Sequence, residues 1–153
     1  MKTIGLSILL LLVTLGSSIA DVTTEQKEEF LVRFKAAVST KSVDQYMALG
    51  YSVGIPEKLL PSIQKSAEWT LNSIEPRKDG LTYSWVDVSP AQKREMTESL
   101  GKAGHQFNLD PVVTLVITLP KDTIKDPRIP DSISPPLGLH EGRLYMIGTV
   151  PKQ

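Results

Sequence analysis

Hydrophobic residues recur every three or four positions between residues 24 and 38, which is the spacing of one face of an α-helix. Thr23 and Gln26 stand at the start of this stretch with the spacing of a capping box, in which each side chain satisfies a backbone N–H of the first turn. The sequence therefore predicts a first helix that begins after Thr23 and buries one face. The positions expected on that face are Phe30, Leu31, Phe34, Ala37 and Val38.

Two further helices are predicted before residue 75. Ser42 and Gln45 repeat the capping-box spacing ahead of a short helix, and Gly50 is suited to end it because glycine tolerates left-handed dihedrals. Pro56 is suited to the first turn of a third helix, in which Trp69 lies to one side of the hydrophobic face. That face comprises Leu60, Ile63, Ala67, Leu71 and Ile74.

The pattern changes to that of β-strands after residue 81. The strongest strand signal is the β-branched run at 112–119, in which valine, threonine and isoleucine dominate. The four segments predicted as strands are 82–88, 105–109, 112–119 and 143–150.

The segments between these strands also have characteristic sequences. Residues 90–104 predict a helical insertion that Pro90 opens, and Glu141-Gly142 resembles a hairpin turn before the last strand. Residues 120–136 contain five prolines and predict an extended loop, because proline cannot donate to a strand ladder. An extended proline-rich loop is also suited to docking a partner, although an ordinary long connection is the simpler interpretation.

Helices followed by strands, without an internal repeat or linker, predict a single α+β domain over residues 21–153. Its expected architecture is N-terminal helices packed on a curved antiparallel sheet. This order resembles the nuclear transport factor 2-like superfamily, a cystatin-like α+β cone, and in particular its small exported bacterial members of unassigned function. The segments behind the resemblance are 30–37, 41–44, 71–74 and 142–148.

The resemblance implies a sheet that wraps around the helices and often leaves a conical cavity. Some members of that superfamily bind or isomerise small apolar molecules in the cavity, and others bind partner proteins. Fold alone therefore does not choose between these functions.

Residues 1–20 have the features of a secretory signal peptide. Lys2 supplies a positive charge, residues 4–15 form an apolar stretch too short to span a bilayer comfortably, and 18–20 (Ser-Ile-Ala) suit cleavage before Asp21. An uncleaved membrane anchor is the alternative. We therefore expect an exported protein, periplasmic or extracellular, with no stable membrane anchor after cleavage.

Composition narrows the classes of partner. The chain has 17 Lys and Arg against 17 Asp and Glu, so it lacks the basic excess with which proteins hold nucleic acid. It has no cysteine, which excludes disulfides and thiolate metal sites, and no glycine-rich phosphate loop that would suggest a nucleotide cofactor. Two histidines, His105 and His140, have no metal-ligand spacing. We predict no cofactor, no metal and no nucleic-acid partner.

Alternating side chains on the predicted strands place several candidate site residues on shared faces. Tyr83, Trp85 and Asp87 share one face of the strand 82–88 because side chains alternate with period two. His105 and Phe107 share a face of the next strand. If these faces line a cone, Tyr83, Trp85, Phe107 and Tyr145 would bind a small apolar ligand.

Asp87 and His105 are the candidate acid–base residues of such a cone, although no catalytic motif accompanies them. Plain core packing is the alternative for every aromatic stripe. Gly50-Tyr51-Ser52-Val53-Gly54 matches Gly-x-Ser-x-Gly, but the nucleophile elbow needs a strand before the serine and a helix is predicted there instead.

The function expected from these observations is an exported soluble binding or protein-interaction module with an apolar pocket and no catalysis of its own. Two alternatives stay open: a small isomerase- or cyclase-type enzyme that uses an acid–base residue in the cone, and a homodimeric structural subunit.

Overall fold

The computed structural model describes residues 21–121 and 128–152. The predicted signal peptide and part of the proline-rich loop therefore lie outside the described residues. The α-helices are α1 (Thr24–Thr40), α2 (Val43–Met47), α3 (Leu60–Ile74) and α4 (Pro90–Lys102). The strands are β1 (Thr82–Asp87), β2 (His105–Phe107), β3 (Pro111–Thr118), β4 (Ser132–Ile133), β5 (Pro136–His140), β6 (Arg143–Met146) and β7 (Thr149–Pro151).

The predicted capping box starts α1. The Thr23 hydroxyl accepts from the Gln26 backbone N–H at 3.2 Å, and the Gln26 side chain accepts from the Thr23 N–H at 2.9 Å. Lys41 ends the helix in the left-handed region, with φ 52°. The predicted buried face is confirmed at Phe30, Phe34, Ala37 and Val38.

The next two helices differ in detail from the prediction. Ser42 accepts from the Gln45 backbone at 3.3 Å, but the Gln45 side chain contacts Thr40 instead of returning to the cap. α3 begins at Leu60 and a 3₁₀ turn (Glu57–Leu59) precedes it. Pro61 explains the later start, because a residue without an N–H fits best in the first turn of a helix.

The main sheet is antiparallel and has the order β1-β3-β5-β6, with β4 beside β3. Trp85 on β1 lies opposite Leu115 on β3, and Leu139 on β5 lies opposite Leu144 on β6. The predicted hairpin turn joins β5 to β6 through Glu141 (φ 49°) and Gly142 (φ 77°), both in the left-handed region that such two-residue turns require. The sheet is curved and does not close on itself.

The proline-rich segment contains two strands that the sequence did not predict. β4 and the start of β5 both lie beside β3, so the predicted loop over 120–136 is too long. Pro135 and Pro136 fit beside neighbouring strands because their carbonyl groups accept hydrogen bonds, which needs no proline N–H. The Pro135 carbonyl accepts from Leu115 N–H at 3.2 Å, and the Pro136 carbonyl accepts from Ile147 N–H at 3.1 Å.

The last predicted strand, 143–150, is two strands in different sheets. β6 is an edge of the main sheet, whereas β7 pairs with β2 in a separate two-stranded sheet. The change occurs at Gly148, whose carbonyl accepts from the Asn108 N–H at 3.1 Å. The expectation that every strand joins one sheet is therefore wrong for β2 and β7.

The hydrophobic core lies between the helices and one face of the main sheet. The strand predicted from the β-branched run at 112–119 is confirmed as β3, in which buried residues alternate with partly buried ones up to an exposed Thr118. Two aromatic contacts join α1 to β1: Phe30 meets Trp85 at 6.4 Å and Phe34 meets Tyr83 at 6.2 Å between ring centroids. The predicted fold class, α+β with helices packed on an antiparallel sheet, is confirmed.

The predicted insertion forms α4, which a second capping box starts. The Ser89 hydroxyl accepts from the Gln92 N–H at 3.2 Å, and the Gln92 side chain accepts from the Ser89 N–H at 3.0 Å. Among the described helices, none is long and apolar enough to cross a membrane.

Candidate functional site

The two aromatic residues predicted on β1 lie on the core side of the sheet. Tyr83 and Trp85 are partly buried and pack against the core through the α1 contacts described above. Burial raises the pKa of Tyr83, and the Lys35 ammonium lies 4.9 Å from the centre of its ring. Both side chains therefore have the packing role that was the alternative to ligand binding.

Asp87 lies at the edge of this face rather than in a cavity. Its carboxylate forms an ion pair with Lys27 of α1 at 3.2 Å, and its side chain is 83% exposed. An exposed ion pair of this kind contributes little to stability, typically about 0–1 kcal/mol.

His105 and Phe107 belong to the small second sheet. His105 is exposed, and its Nδ1 lies 2.8 Å from the Ala103 carbonyl. Phe107 pairs with Thr149 of β7 and is partly buried. Asp87 and His105 are both exposed, their strands lie in different sheets, and neither side chain lines the cleft described below.

Tyr145 lies in a third place. It is opposite Gly138 on β5, and its ring lies 5.9 Å from that of Tyr51 and 5.7 Å from the Arg33 guanidinium carbon. Tyr51 in turn contacts the His140 ring at 5.0 Å. The four predicted ligand-binding aromatics therefore do not line one common pocket.

A cleft of about 500 Å³ opens elsewhere, between the helices α2 and α3 and the junction of β6 with β7. No charged side chain is among the described residues that line it. Its helical side carries Tyr46, Met47, Ile55, Leu59, Leu60 and Ile63, and its strand side carries Met146 and Ile147.

A row of hydroxyl groups also lines the cleft along α3. Ser62, Ser66 and Thr70 are four residues apart, so they lie on one face of the helix. Thr70 donates to the Ser66 carbonyl at 2.8 Å. Burial raises the pKa of the Tyr46 phenol, and a hydrogen bond with Thr70 partly opposes that shift. The cleft thus combines an apolar surface with a few uncharged polar groups.

The segment that matched Gly-x-Ser-x-Gly forms one wall of this cleft. Gly50 makes an isolated parallel bridge to Met146, where Tyr51 N–H donates to the Met146 carbonyl at 2.8 Å. Ser52 lines the cleft. The helix α2 precedes the serine, and Gly54 adopts φ 79° in the turn that follows. The strand–serine–helix geometry of a nucleophile elbow is therefore missing in this segment.

Sequence reasoning identified some of these residues but assigned them to the core. Leu60 was expected on the buried face of the third helix, yet it is 40% exposed, and Leu59 beside it is 38% exposed. Deeper along the same helix, Ala67 and Leu71 are buried as expected. The apolar side chains of the first turns of α3 therefore line the cleft and stay partly exposed, whereas Leu71 and Ile74 in its later turns are fully buried.

Within the described part of the chain, no three His, Asp or Glu side chains lie close enough together to hold a metal ion. Comparisons of the chain with protein-family models, with curated proteins and with solved structures found no match.

Proposed function

We propose that this chain is an exported binding module that takes a small apolar molecule into the cleft between α3 and the β6–β7 junction. The observation that carries the proposal is the lining, which is apolar and holds no charged side chain among the described residues. A volume of about 500 Å³ lies within the ordinary range of small-molecule pockets, roughly 300–1,000 Å³.

The exposed apolar surface of the lining favours binding of a guest molecule. Leu59 and Leu60 keep more than a third of their surface in solvent, so a guest that covers them removes apolar area from water. Met47 and Met146 line opposite sides, and methionine adapts to irregular apolar shapes. The hydroxyls of Ser62 and Ser66 suit a guest with one uncharged polar group.

Export is proposed from the N-terminal sequence, and membership of the nuclear transport factor 2-like superfamily is proposed from the order of elements. The isomerase-type alternative has little support from the geometry, because Asp87 and His105 are exposed in different sheets. The homodimer stays a prediction.

The test is titration with N-phenyl-1-naphthylamine, a neutral apolar dye whose fluorescence rises in apolar surroundings. We expect saturable binding to one site. In Ser66→Phe the new ring occupies the cleft from an exposed position, so affinity should fall at least about tenfold. Gln64→Phe is the matched control, because it adds the same ring to an exposed position of α3 that does not line the cleft.

Two results would contradict the proposal. One is non-saturable dye binding by the wild-type chain, which indicates a surface without a defined site. The other is equal affinity in Ser66→Phe and Gln64→Phe, which places the dye outside the cleft.

A further inference from the structure

Asn108, in the short loop between β2 and β3, makes four hydrogen bonds to two separate segments. Its side-chain amide donates to the carbonyls of Tyr51 at 2.5 Å and Val53 at 3.3 Å. Its Oδ1 accepts from Gly148 N–H at 3.0 Å, and its own backbone N–H donates to the Gly148 carbonyl at 3.1 Å. Every polar function of this side chain is therefore used within the protein.

The two segments that Asn108 joins are neighbouring parts of the cleft lining, already in contact where Tyr51 N–H donates to the Met146 carbonyl at 2.8 Å. Tyr51 and Ser52 of the first segment line the cleft, and so do Ile147 to Thr149 of the second. The loop that carries Tyr51 has no helix or strand between Gly50 and the 3₁₀ turn at Glu57. Its local backbone bonds are Tyr51 N–H to Met146 and Ile55 N–H to Ser52.

Chemistry favours an amide at this position. A carboxylate of the same shape accepts hydrogen bonds but cannot donate, so it would set negative oxygen against the carbonyls of Tyr51 and Val53. Alanine would leave Gly148 N–H and two carbonyls without this partner. Unpaired polar groups that are partly buried lower the stability of the folded protein.

We propose that Asn108 is the positioning residue of the cleft, which holds the 51–53 loop against the β6–β7 junction so that the two segments form one continuous wall for the guest. This inference rests on the proposed binding function. Asn108 itself does not line the cleft, so it acts through the backbone of the residues that do.

The experiment compares wild type, Asn108→Asp and Asn72→Asp in the same dye titration. Asn72 is exposed on α3 outside the cleft, so its variant makes the same chemical change at a neutral place. In Asn108→Asp we expect at least about tenfold weaker binding, which is the effect of losing one or two part-buried hydrogen bonds. Asn72→Asp should bind as wild type does.

A second readout separates positioning from general destabilisation. At dye saturation, a cleft with displaced walls admits water, so the emission maximum of the bound dye should shift to longer wavelength in Asn108→Asp. A variant that is only less stable binds with unchanged emission once saturated. If Asn108→Asp does not fold, Asn108→Ser, which keeps one donor and one acceptor, takes its place under the same criteria.

The outcomes distinguish the two proposals. Wild-type binding together with unchanged affinity and emission in the Asn108 variant overturns the positioning role and leaves the binding function standing. The absence of saturable dye binding in wild type overturns the binding function, and this inference with it.

Discussion

Gly138 on β5 leaves less room for a Cβ than any other described glycine, so replacing it with alanine tests the packing there directly. A Cβ at this position would lie 2.6 Å from Leu109 Cγ, 2.7 Å from Leu109 Cδ2 and 2.7 Å from the Asp110 carbonyl oxygen. Ordinary carbon contacts are about 3.5–4.0 Å. The new methyl group therefore requires movement of about 1 Å on the side of Leu109 and Asp110.

Only part of that movement is inexpensive. The Leu109 side chain can rotate, but the Asp110 carbonyl belongs to the backbone that leads into β3, where the register against β5 already shifts between Pro111 and Val113. Overpacking of this kind costs about 1–3 kcal/mol. Because a backbone carbonyl must move, we take the middle to upper part of that range, about 2–3 kcal/mol. Alanine has less chain entropy than glycine in the unfolded state, which offsets about 0.4–1 kcal/mol, so the net loss should be about 1–2 kcal/mol.

The assay is thermal unfolding by circular dichroism, together with urea unfolding for the free energy. At about 3 °C per kcal/mol for a chain of this size, Gly138→Ala should lower Tm by about 3–6 °C. Gly101→Ala is the matched control: its Cβ meets nothing within 4 Å, and its place in α4 favours alanine by up to about 1 kcal/mol. Wild-type stability in Gly138→Ala, with the control behaving as expected, would refute the reasoning.

Two further predictions concern a buried phenol and a helix cap. Burial raises the pKa of Tyr46 in the folded state above the unfolded-state pKa near 10. The stability that the protonated phenol contributes is therefore complete below the unfolded-state pKa and is lost as the pH rises through the folded-state pKa. Urea unfolding between about pH 9 and about pH 11.5 should therefore show a shallower loss in Tyr46→Phe than in wild type, and equal slopes would contradict this. Thr23→Ala removes the capping hydroxyl of α1 and should lower the free energy of unfolding by about 1 kcal/mol; a change within error in urea unfolding would count against the cap.

The elements that the sequence predicted well are those that local rules determine. α1 followed from a capping box and a helical hydrophobic face, and the β5–β6 turn followed from Glu141-Gly142. β5 was missed because Pro135 and Pro136 read as strand breakers, although a proline carbonyl can still accept from a neighbouring strand. Local patterns do not reveal which backbone groups of a proline face the partner strand.

The cleft could not be predicted for a different reason. It joins residues as distant as Met47, Ile63 and Ile147, and their proximity depends on how the 49–51 segment pairs with Met146. Apolar residues at helical spacing indicate a buried face, but the pattern does not show where the covering elements end. Leu60 and Ala67 have the same pattern, and only the fold makes one half-exposed and the other buried.

The described residues that line the cleft include no charged side chain, which bears on whether the cleft could carry out acid–base catalysis. A general acid or base works best when its pKa lies near the working pH. The ionisable groups among the described residues that line the cleft are the phenols of Tyr46 and Tyr51. Burial raises the pKa of the Tyr46 phenol and so moves it further from a neutral working pH. The carboxylate of Asp87, one of the predicted acid–base pair, is instead engaged with Lys27 at the edge of β1. The guest that we propose would therefore meet apolar surface and neutral hydroxyls among the described lining residues.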